Sequence, residues 1–314
     1  PARAAARIAV PRIVWLRAKS SLMATEATRL HLPELDQVTI VVVTYNSAHC
    51  IPVLQKFLQY CPHIIFSDNG SNDDTVEQVR RLLPHAHALT HGKNLGFGTA
   101  NNRALTQVST PFAMLLNPDC EMEAQAIADL VQAAQAMPEA ALIAPQLTGA
   151  SGKPEINYRW QSHLWKSQGP GADAPACVGF VTGAVMLFRM ELAQQIAFFD
   201  EDFFLYYEDD DLCLRLFQAR LPIVICPQIQ AMHRSRGSVR GNRPLHSEYL
   251  RGYHHAQSKL LFAHKHVTPA KAQDMRRKLI AGTSAALPLR LLAFSPRLLA
   301  RMWGRLRGVI EWKP

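Results

Sequence analysis

The chain has no CxxC pair, no metal-type cysteine spacing and no apolar run near the ~18 residues of a membrane-crossing helix. Its six cysteines, Cys50, Cys61, Cys120, Cys177, Cys213 and Cys226, are scattered, several inside apolar runs. They read as buried thiols of a reducing compartment. GxxxxGK(S/T) is missing, which argues against a P-loop. "GFGTAN" (96–101) has Asn101 where a dinucleotide fingerprint carries its third glycine, and it follows no strand directly. Charge is sparse at 19%, and 48% of the 314 residues are hydrophobic. That composition excludes disorder and provides a core for one large domain or two small ones. Positive charge is also short where a nucleic-acid-binding core would need it. Residues 30–264 hold 17 Lys and Arg against 22 acids, whereas 265–314 hold 11 against 2 and 1–29 hold 6 against 1. A mildly acidic body with basic ends suits docking on an anionic surface and leaves no place for nucleic acid.

Residues 1–35 are expected to be a poorly ordered leader. "IAVPRIVWL" (8–16) is short, broken by Pro11 and Arg12 and without a cleavage site, so it does not read as a signal peptide, and Met23 is a candidate natural start. Order is expected to begin at "QVTIVVVTYNS". The β-branched run Val38–Val43 reads as a strand buried on both faces, as in a parallel sheet. A helix from Leu54 to Tyr60, a strand over 63–68, and a turn at Asn69-Gly70 follow. The next helix buries Val76, Val79, Leu82 and Leu83. A strand over 86–91, a helix from Gly98 to Thr106 and a strand over 111–117 extend the β-α alternation into a Rossmann-like α/β sheet.

Ligands gather at the carboxyl ends of strands in such sheets. Thr44, Tyr45 and Asn46, then Asp68 and Asn69, then Asn117 and Asp119 each directly follow an expected strand. Each alone is an ordinary turn residue, but three strand ends together point to a nucleotide. A carboxylate there can accept from a pyrimidine N3–H or a ribose hydroxyl, and Asp119 can hold a cation on a diphosphate.

The ordered series "VTIVVVTYNS", "SDNGSNDDT", "NLGFGTANN", "LLNPD", "VTGAVML", "FDEDFFLYYEDDDLCLRL" and "AMHRSRGS" resembles the family-2 glycosyltransferases of GT-A fold, especially rhamnosyltransferase-like bacterial members. The resemblance covers about residues 38–240. It implies a GT-A domain over 36–264, a Rossmann-like nucleotide-binding mixed sheet flanked by helices, with a C-terminal helical extension over 265–314. It also implies an enzyme that moves a sugar from a nucleotide-diphosphate donor to an acceptor hydroxyl with inversion, assisted by Mg²⁺ or Mn²⁺. Asp209 matches the family's general base and Glu208 stands beside it. Packing Glu208, Asp209, Asp210 and Asp211 together should raise at least one pKa, while acids at a helix start also serve as caps. Asp211, four residues before Arg215, is the structural member of that run, and Asp210 is expected to be incidental. Asp119 matches the last residue of the metal-binding DxD, whose first place here is Asn117. His233 matches a metal-coordinating histidine of some relatives, or is structural. Thr44, Tyr45, Asn46, Asp68, Asn69, Lys93, Asn94 and Asn117 fall at donor-binding positions. Gly183 lets backbone approach the donor sugar or the acceptor, or serves packing. Trp160 and Trp165 stack on an acceptor sugar or anchor their loop, and Arg234, Arg236 and Arg240 grip phosphate or lie in solvent.

In the tail, Ser295 reads as a cap and Pro296 as the first helical residue. Leu298, Leu299, Met302, Trp303, Leu306, Val309 and Ile310 share one face, opposite Arg297, Arg301, Arg305 and Arg307. Residues 295–310 therefore contact a membrane peripherally, or pack on the catalytic domain or on a second copy in a homodimer. The full expectation is a cytoplasmic enzyme at the inner face of the cell membrane that glycosylates a glycan or lipid-linked acceptor in cell-surface polysaccharide synthesis. Two alternatives are a non-catalytic sugar or membrane-surface binding protein, and a sugar-nucleotide pyrophosphorylase. The latter would need a Gly-rich basic loop where this chain has "TYNS". The lack of QxxRW argues against processive synthesis.

Overall fold

A computed structural model describes residues 32–160, 171–235, 237–238, 244–292 and 295–314. Met23 and most of the expected leader, with Trp165, Arg236 and Arg240, lie outside them.

The first half alternates as the sequence pattern implies: β1 (Val38–Thr44), α1 (Ile51–Leu58), β2 (His63–Asp68), α2 (Thr75–Leu82), β3 (His87–Thr90), α3 (Phe97–Leu105) and β4 (Phe112–Leu116). Then come β5 (Cys120–Glu121), α4 (Ala124–Ala136), β6 (Leu142–Thr148), β7 (Pro154–Glu155) and β8 (Tyr158–Arg159). After them run β9 (Ala176–Val178), β10 (Phe180–Val181), β11 (Val185–Arg189), α5 (Met190–Ala193), α6 (Glu208–Gln218) and β12 (Ile223–His233). Three helices close the chain: α7 (Pro244–His266), α8 (Pro269–Leu292) and α9 (Pro296–Glu311). α1 starts three residues before the expected Leu54, because Pro52 sits at its first turn, where a fixed φ and a missing N–H cost nothing.

The main sheet is mixed, in the order β3-β2-β1-β4-β11-β6-β12-β5. β1 runs parallel to β2 and β4, and β11 lies antiparallel between β4 and β6. Successive residues of β1 serve opposite faces. Ile40 and Val42 join Leu54 and Leu58 of α1 and Ile127 of α4, while Val41 joins Leu105 of α3 and Leu212 of α6. Burial on both sides explains the unbroken β-branched run, and truncating Leu54, fully buried, to Ala should cost about 2–5 kcal/mol. In α2 and at its C-cap, Val79 and Leu83 are buried, while Val76 and Leu82 are only half-buried. Five cysteines are buried, and burial pushes the thiols of Cys61 and Cys226 up to about 12. Cys177, on β9, is exposed, contrary to the uniform burial expected.

A separate apolar cluster of Ala256, Leu260, Ala263, Ala272, Val309 and Trp312 joins α7, α8 and α9. α9 begins at Pro296 as expected, but its apolar face is divided: Met302 and Val309 are buried, whereas Trp303 and Ile310 are about half exposed. The reason lies in the glycines. A Cβ on Gly304 would strike the Tyr249 carbonyl, one on Gly252 would strike the Arg301 carbonyl, and one on Gly308 would lie 2.5 Å from the Tyr253 carbonyl. Backbones of α7 and α9 thus touch along small residues, and this contact turns the helix by its glycines rather than by its leucines. Gly304→Val is expected to destabilise the protein by at least about 1–3 kcal/mol and to expose α9 to protease before the sheet domain. Unchanged melting and proteolysis would show that the two helices do not meet there.

Candidate active site

A cleft of about 680 Å³ opens where β1 and β4 end and where β11 and α6 begin. It gathers Thr44, Tyr45, Asn69, Asn94, Asn117, Asp119, Gly183, Glu208, Asp209 and His233 from the residues singled out in the sequence. Asn46, Asp68 and Lys93 do not line it. Asp68 is 3% exposed, and its oxygens are already engaged. Oδ1 accepts from the hydroxyls of Thr44 (2.9 Å) and Ser71 (2.5 Å), and Oδ2 accepts from the N–H groups of Gly70 (3.1 Å) and Ser71 (2.9 Å). It therefore ties the end of β1 to the turn after β2. Asn46, at φ 52°, accepts the Asn72 N–H through its side-chain oxygen, and the Lys93 backbone passes beneath Gly70. Asn69 reaches forward instead. It donates to the Gly96 carbonyl (3.0 Å) and accepts the Leu95 N–H (3.2 Å), fixing the loop that carries Asn94.

Asp119 follows β4, and the antiparallel pairing of β12 with β5 sets His233 beside Cys120. Asp119 Oδ2 accepts N–H groups of Gly237 (2.9 Å) and Ser238 (3.1 Å), which fixes the carboxylate plane. Its Oδ1 is buried without a hydrogen-bond partner among the described residues and lies 3.6 Å from His233 Nε2. A carboxylate oxygen stranded next to an imidazole nitrogen is costly unless a cation joins them. Cys120 is near enough to share an ion. Its S–H instead points at the Ala184 carbonyl (3.5 Å), and burial followed by the Asp119 charge pushes its pKa well up. A neutral thiol suits neither Mg²⁺ nor Mn²⁺, whereas a carboxylate with an imidazole fits a divalent metal.

The four acids open α6 after Tyr206 and Tyr207, which hold left-handed φ of 69° and 66°, strain that bulky residues rarely carry. Each acid meets a different fate. Asp211, 1% exposed, accepts from Arg215 Nε (2.8 Å) and His266 Nε2 (2.6 Å). Asp210, expected to be incidental, pairs with Arg159 Nη1 of β8 at 2.8 Å. Asp209 lines the cleft, with Oδ2 accepting the Gly183 N–H (3.1 Å) and Oδ1 the Asp210 N–H (3.0 Å). Glu208 also lines it, and its Oε2 is buried and unpartnered among the described residues. Burial first, then the Asp210 charge, raises Asp209 to about 6 against those two N–H donors. Burial and the Asp209 charge push Glu208 well above its ordinary range.

Sequence reasoning overlooked other lining residues, among them Ser47, Phe97, Arg251, His255 and the inward-facing Arg301 and Arg305. Ser47 had a local signal, since it follows a strand end. It is fully buried and donates to the Ser238 carbonyl (2.8 Å), holding the segment that fixes Asp119. The α7 and α9 residues had none, because helix periodicity does not say which neighbour a face meets.

Residues 39–195 match glycosyl transferase family 2. The chain belongs to that family and is a glycosyltransferase. It is 26% identical over 269 residues to the N-acetylglucosaminyl-diphospho-decaprenol L-rhamnosyltransferase of Mycobacterium tuberculosis, covering 74% of this chain and 85% of that protein. It is also 26% identical over 212 residues to the low-salt glycan biosynthesis hexosyltransferase of Haloferax volcanii, covering 63% and 67%. A mannosyltransferase of Pyrobaculum calidifontis, solved with GDP-Man and Mn²⁺, shares the fold at TM-score 0.53 and 15% identity, over 87% of this chain and 86% of that one.

The raised pKa of Asp209 has a consequence for stability. A carboxyl that binds its proton more tightly folded than unfolded stabilises fully below its unfolded value, near 4, and loses that contribution as pH rises through about 6. Asp209→Asn is therefore expected to melt a few degrees above wild type at about pH 8, with the gap roughly halved at about pH 5. A gap that is the same at both pH values would contradict the burial of this charge.

Proposed function

We propose that the chain is an inverting sugar transferase that takes its donor as a nucleoside diphosphate sugar. On this reading it delivers the sugar to a hydroxyl of a lipid-linked glycan in cell-surface polysaccharide synthesis. The observation that carries this reading is the pairing, in one cleft, of a carboxylate tuned to about 6 with the Asp119–His233 donor pair. L-Rhamnose as the sugar, and N-acetylglucosamine on a diphospho-lipid as the acceptor, are favoured by the activity for which the mycobacterial relative is named.

In this proposal the strand-end residues Thr44, Tyr45, Asn69, Asn94 and Asn117 hold the donor, while Asp68 acts through the turn that it builds. Asp119 and His233 hold a divalent cation, which when bound offsets negative charge on the diphosphate. Asp209 accepts the proton of the acceptor hydroxyl. The oxygen lone pair then forms the new bond at the anomeric carbon, the bond to the diphosphate oxygen breaks with its electrons on the nucleotide, and attack from the opposite face inverts the centre. Gly183, donating to Oδ2, leaves Asp209 aimed along the cleft, and beside it stands Glu208, whose Oε2 has no hydrogen-bond partner among the described residues and whose pKa burial holds above its usual range. Exposed Trp303 and Ile310 on α9 support peripheral contact with a membrane carrying the acceptor. Among the described residues no helix is long and apolar enough to cross one.

The test is binding and turnover of dTDP-, UDP- and GDP-sugars with Mg²⁺ or Mn²⁺, for wild type and Asp209→Asn. One donor is expected to bind both proteins, with turnover about 10²–10⁴-fold lower in the variant. The wild-type rate should fall as pH drops below about 6, as the base takes up its proton. A variant with full turnover would remove Asp209 from the chemistry, and a protein that binds no donor under either metal would end the transferase proposal. Asp119→Asn is expected to weaken Mn²⁺ binding by about ten-fold or more, read directly from the spin-resonance signal of free Mn²⁺.

A further inference from the structure

α7 and α9 add three guanidinium groups to the cleft wall: Arg251 from the first, Arg301 and Arg305 from the second. One carboxylate serves the first two. Glu248, 9% exposed, accepts from Arg251 Nη1 through Oε1 (2.9 Å) and from Arg301 Nε through Oε2 (2.7 Å). Burial presses its pKa up, yet the two arginines hold it below its usual value. Of the other α9 arginines, Arg307 pairs with Glu311, but among the described residues no carboxylate pairs with Arg305. This wall therefore carries an excess of positive charge where it lines the cleft. His255, on the same wall, is held below its usual pKa by burial and then by Arg305.

The position argues for which anion. Asp119 follows β4, its partners His233, Gly237 and Ser238 belong to β12 and the segment after it, and among the described residues none of these contacts involves α9. The arginines stand instead on the side of the α6 carboxylates. Tyr206, two residues before Glu208, sets its ring 5.6 Å from that of His255 on α7, and both line the cleft together with Arg251, Arg301 and Arg305. Moving from Asp209 through Glu208, Tyr206 and His255 leads to Arg301 and Arg305, on elements that carry no proposed donor residue. A diphosphate beside the acceptor sugar fits there. Its two charges match the unpaired Arg305 and the half-shared Arg301, and the guanidinium fork bonds phosphate oxygens in pairs.

We propose that Arg305, with Arg301, is a subsite for the diphosphate of the acceptor, so that α9 selects acceptors carried on a diphosphate. This rests on the transferase reading given above. The test compares wild type, Arg305→Ala and Arg305→Lys in the full chain on two acceptors. One is N-acetylglucosamine joined through a diphosphate to a short prenyl chain, and the other is the same sugar on an uncharged alkyl chain. Arg305→Ala is expected to raise KM for the first about ten-fold or more, with donor KM and the uncharged acceptor unaffected, and Arg305→Lys to recover part of the loss. A rise in donor KM would assign the charge to the nucleotide, and an equal loss on both acceptors would make the residue merely structural. Either result overturns the subsite. A second measurement needs no turnover: calorimetric binding of farnesyl diphosphate to Asp209→Asn saturated with nucleoside diphosphate and Mn²⁺, with and without Arg305→Ala. Affinity lowered about ten-fold by the alanine supports the subsite even if neither acceptor is glycosylated, which would fault only the acceptor reading. Affinity indifferent to Arg305, or no binding, overturns it.

Discussion

Four carboxylates in one helical turn cannot all be buried and charged, and the folded chain resolves that conflict differently for each. Asp211 receives a guanidinium from its own helix and an imidazole from the end of α7. Asp210 receives Arg159 from β8. The Asp211–His266 and Asp210–Arg159 pairs tie α6 to α7 and to β8, so the turn that carries them is positioned by its own electrostatics. Among the described residues no cation pairs with Glu208 or Asp209, and both line the cleft. Their raised proton affinity is the residue of the same conflict, and it is what fits a carboxylate to accept a proton near neutral pH.

The sheet supplies the other half of the arrangement. β1 and β4 are parallel neighbours, so their carboxyl ends coincide. Antiparallel β11 begins beside the end of β4, pairing Val185 with Leu116, and this puts Gly183 next to Asn117 and beneath Asp209. The metal-type donors and the proposed base are thereby brought to one opening by ordinary strand register. β12 then returns His233 against Cys120, delivering an imidazole to the stranded oxygen of Asp119.

The C-terminal helices complete the cleft instead of standing apart from it. Glycines let α7 and α9 meet at backbone distance, and the side chains flanking those glycines, Arg301 and Arg305, are carried inward with them. Glu248 compensates Arg251 and Arg301 and leaves Arg305 without a carboxylate partner among the described residues. Thus one sparse apolar cluster and three glycines decide where a good part of the positive charge of the tail is used.

Much of this was legible in the chain itself. An unbroken run such as VTIVVVT has one comfortable place, a strand covered on both faces, and the polar residues directly after three such runs had to emerge at one edge. The acidic run before an amphipathic stretch announced a helix start, and Asp211 with Arg215 is a pairing that four-residue spacing alone dictates. Asp68 was not legible in the same way: residue type marks a carboxylate at a strand end, but only the folded turn shows its oxygens saturated by Thr44, Gly70 and Ser71. The α9 arginines show the limit most clearly. Periodicity put them opposite the leucines, a local property of 3.6 residues per turn. Which of those faces meets solvent, membrane or cleft depends on a neighbour some fifty positions away in sequence, through a Gly252–Gly304 approach that has no local signature. Local hydrogen bonding and apolar spacing determined the elements and most strand-end residues. Long-range packing alone decided which charges share the cleft, because burial and proximity set their energies and neither is a property of a short stretch of chain.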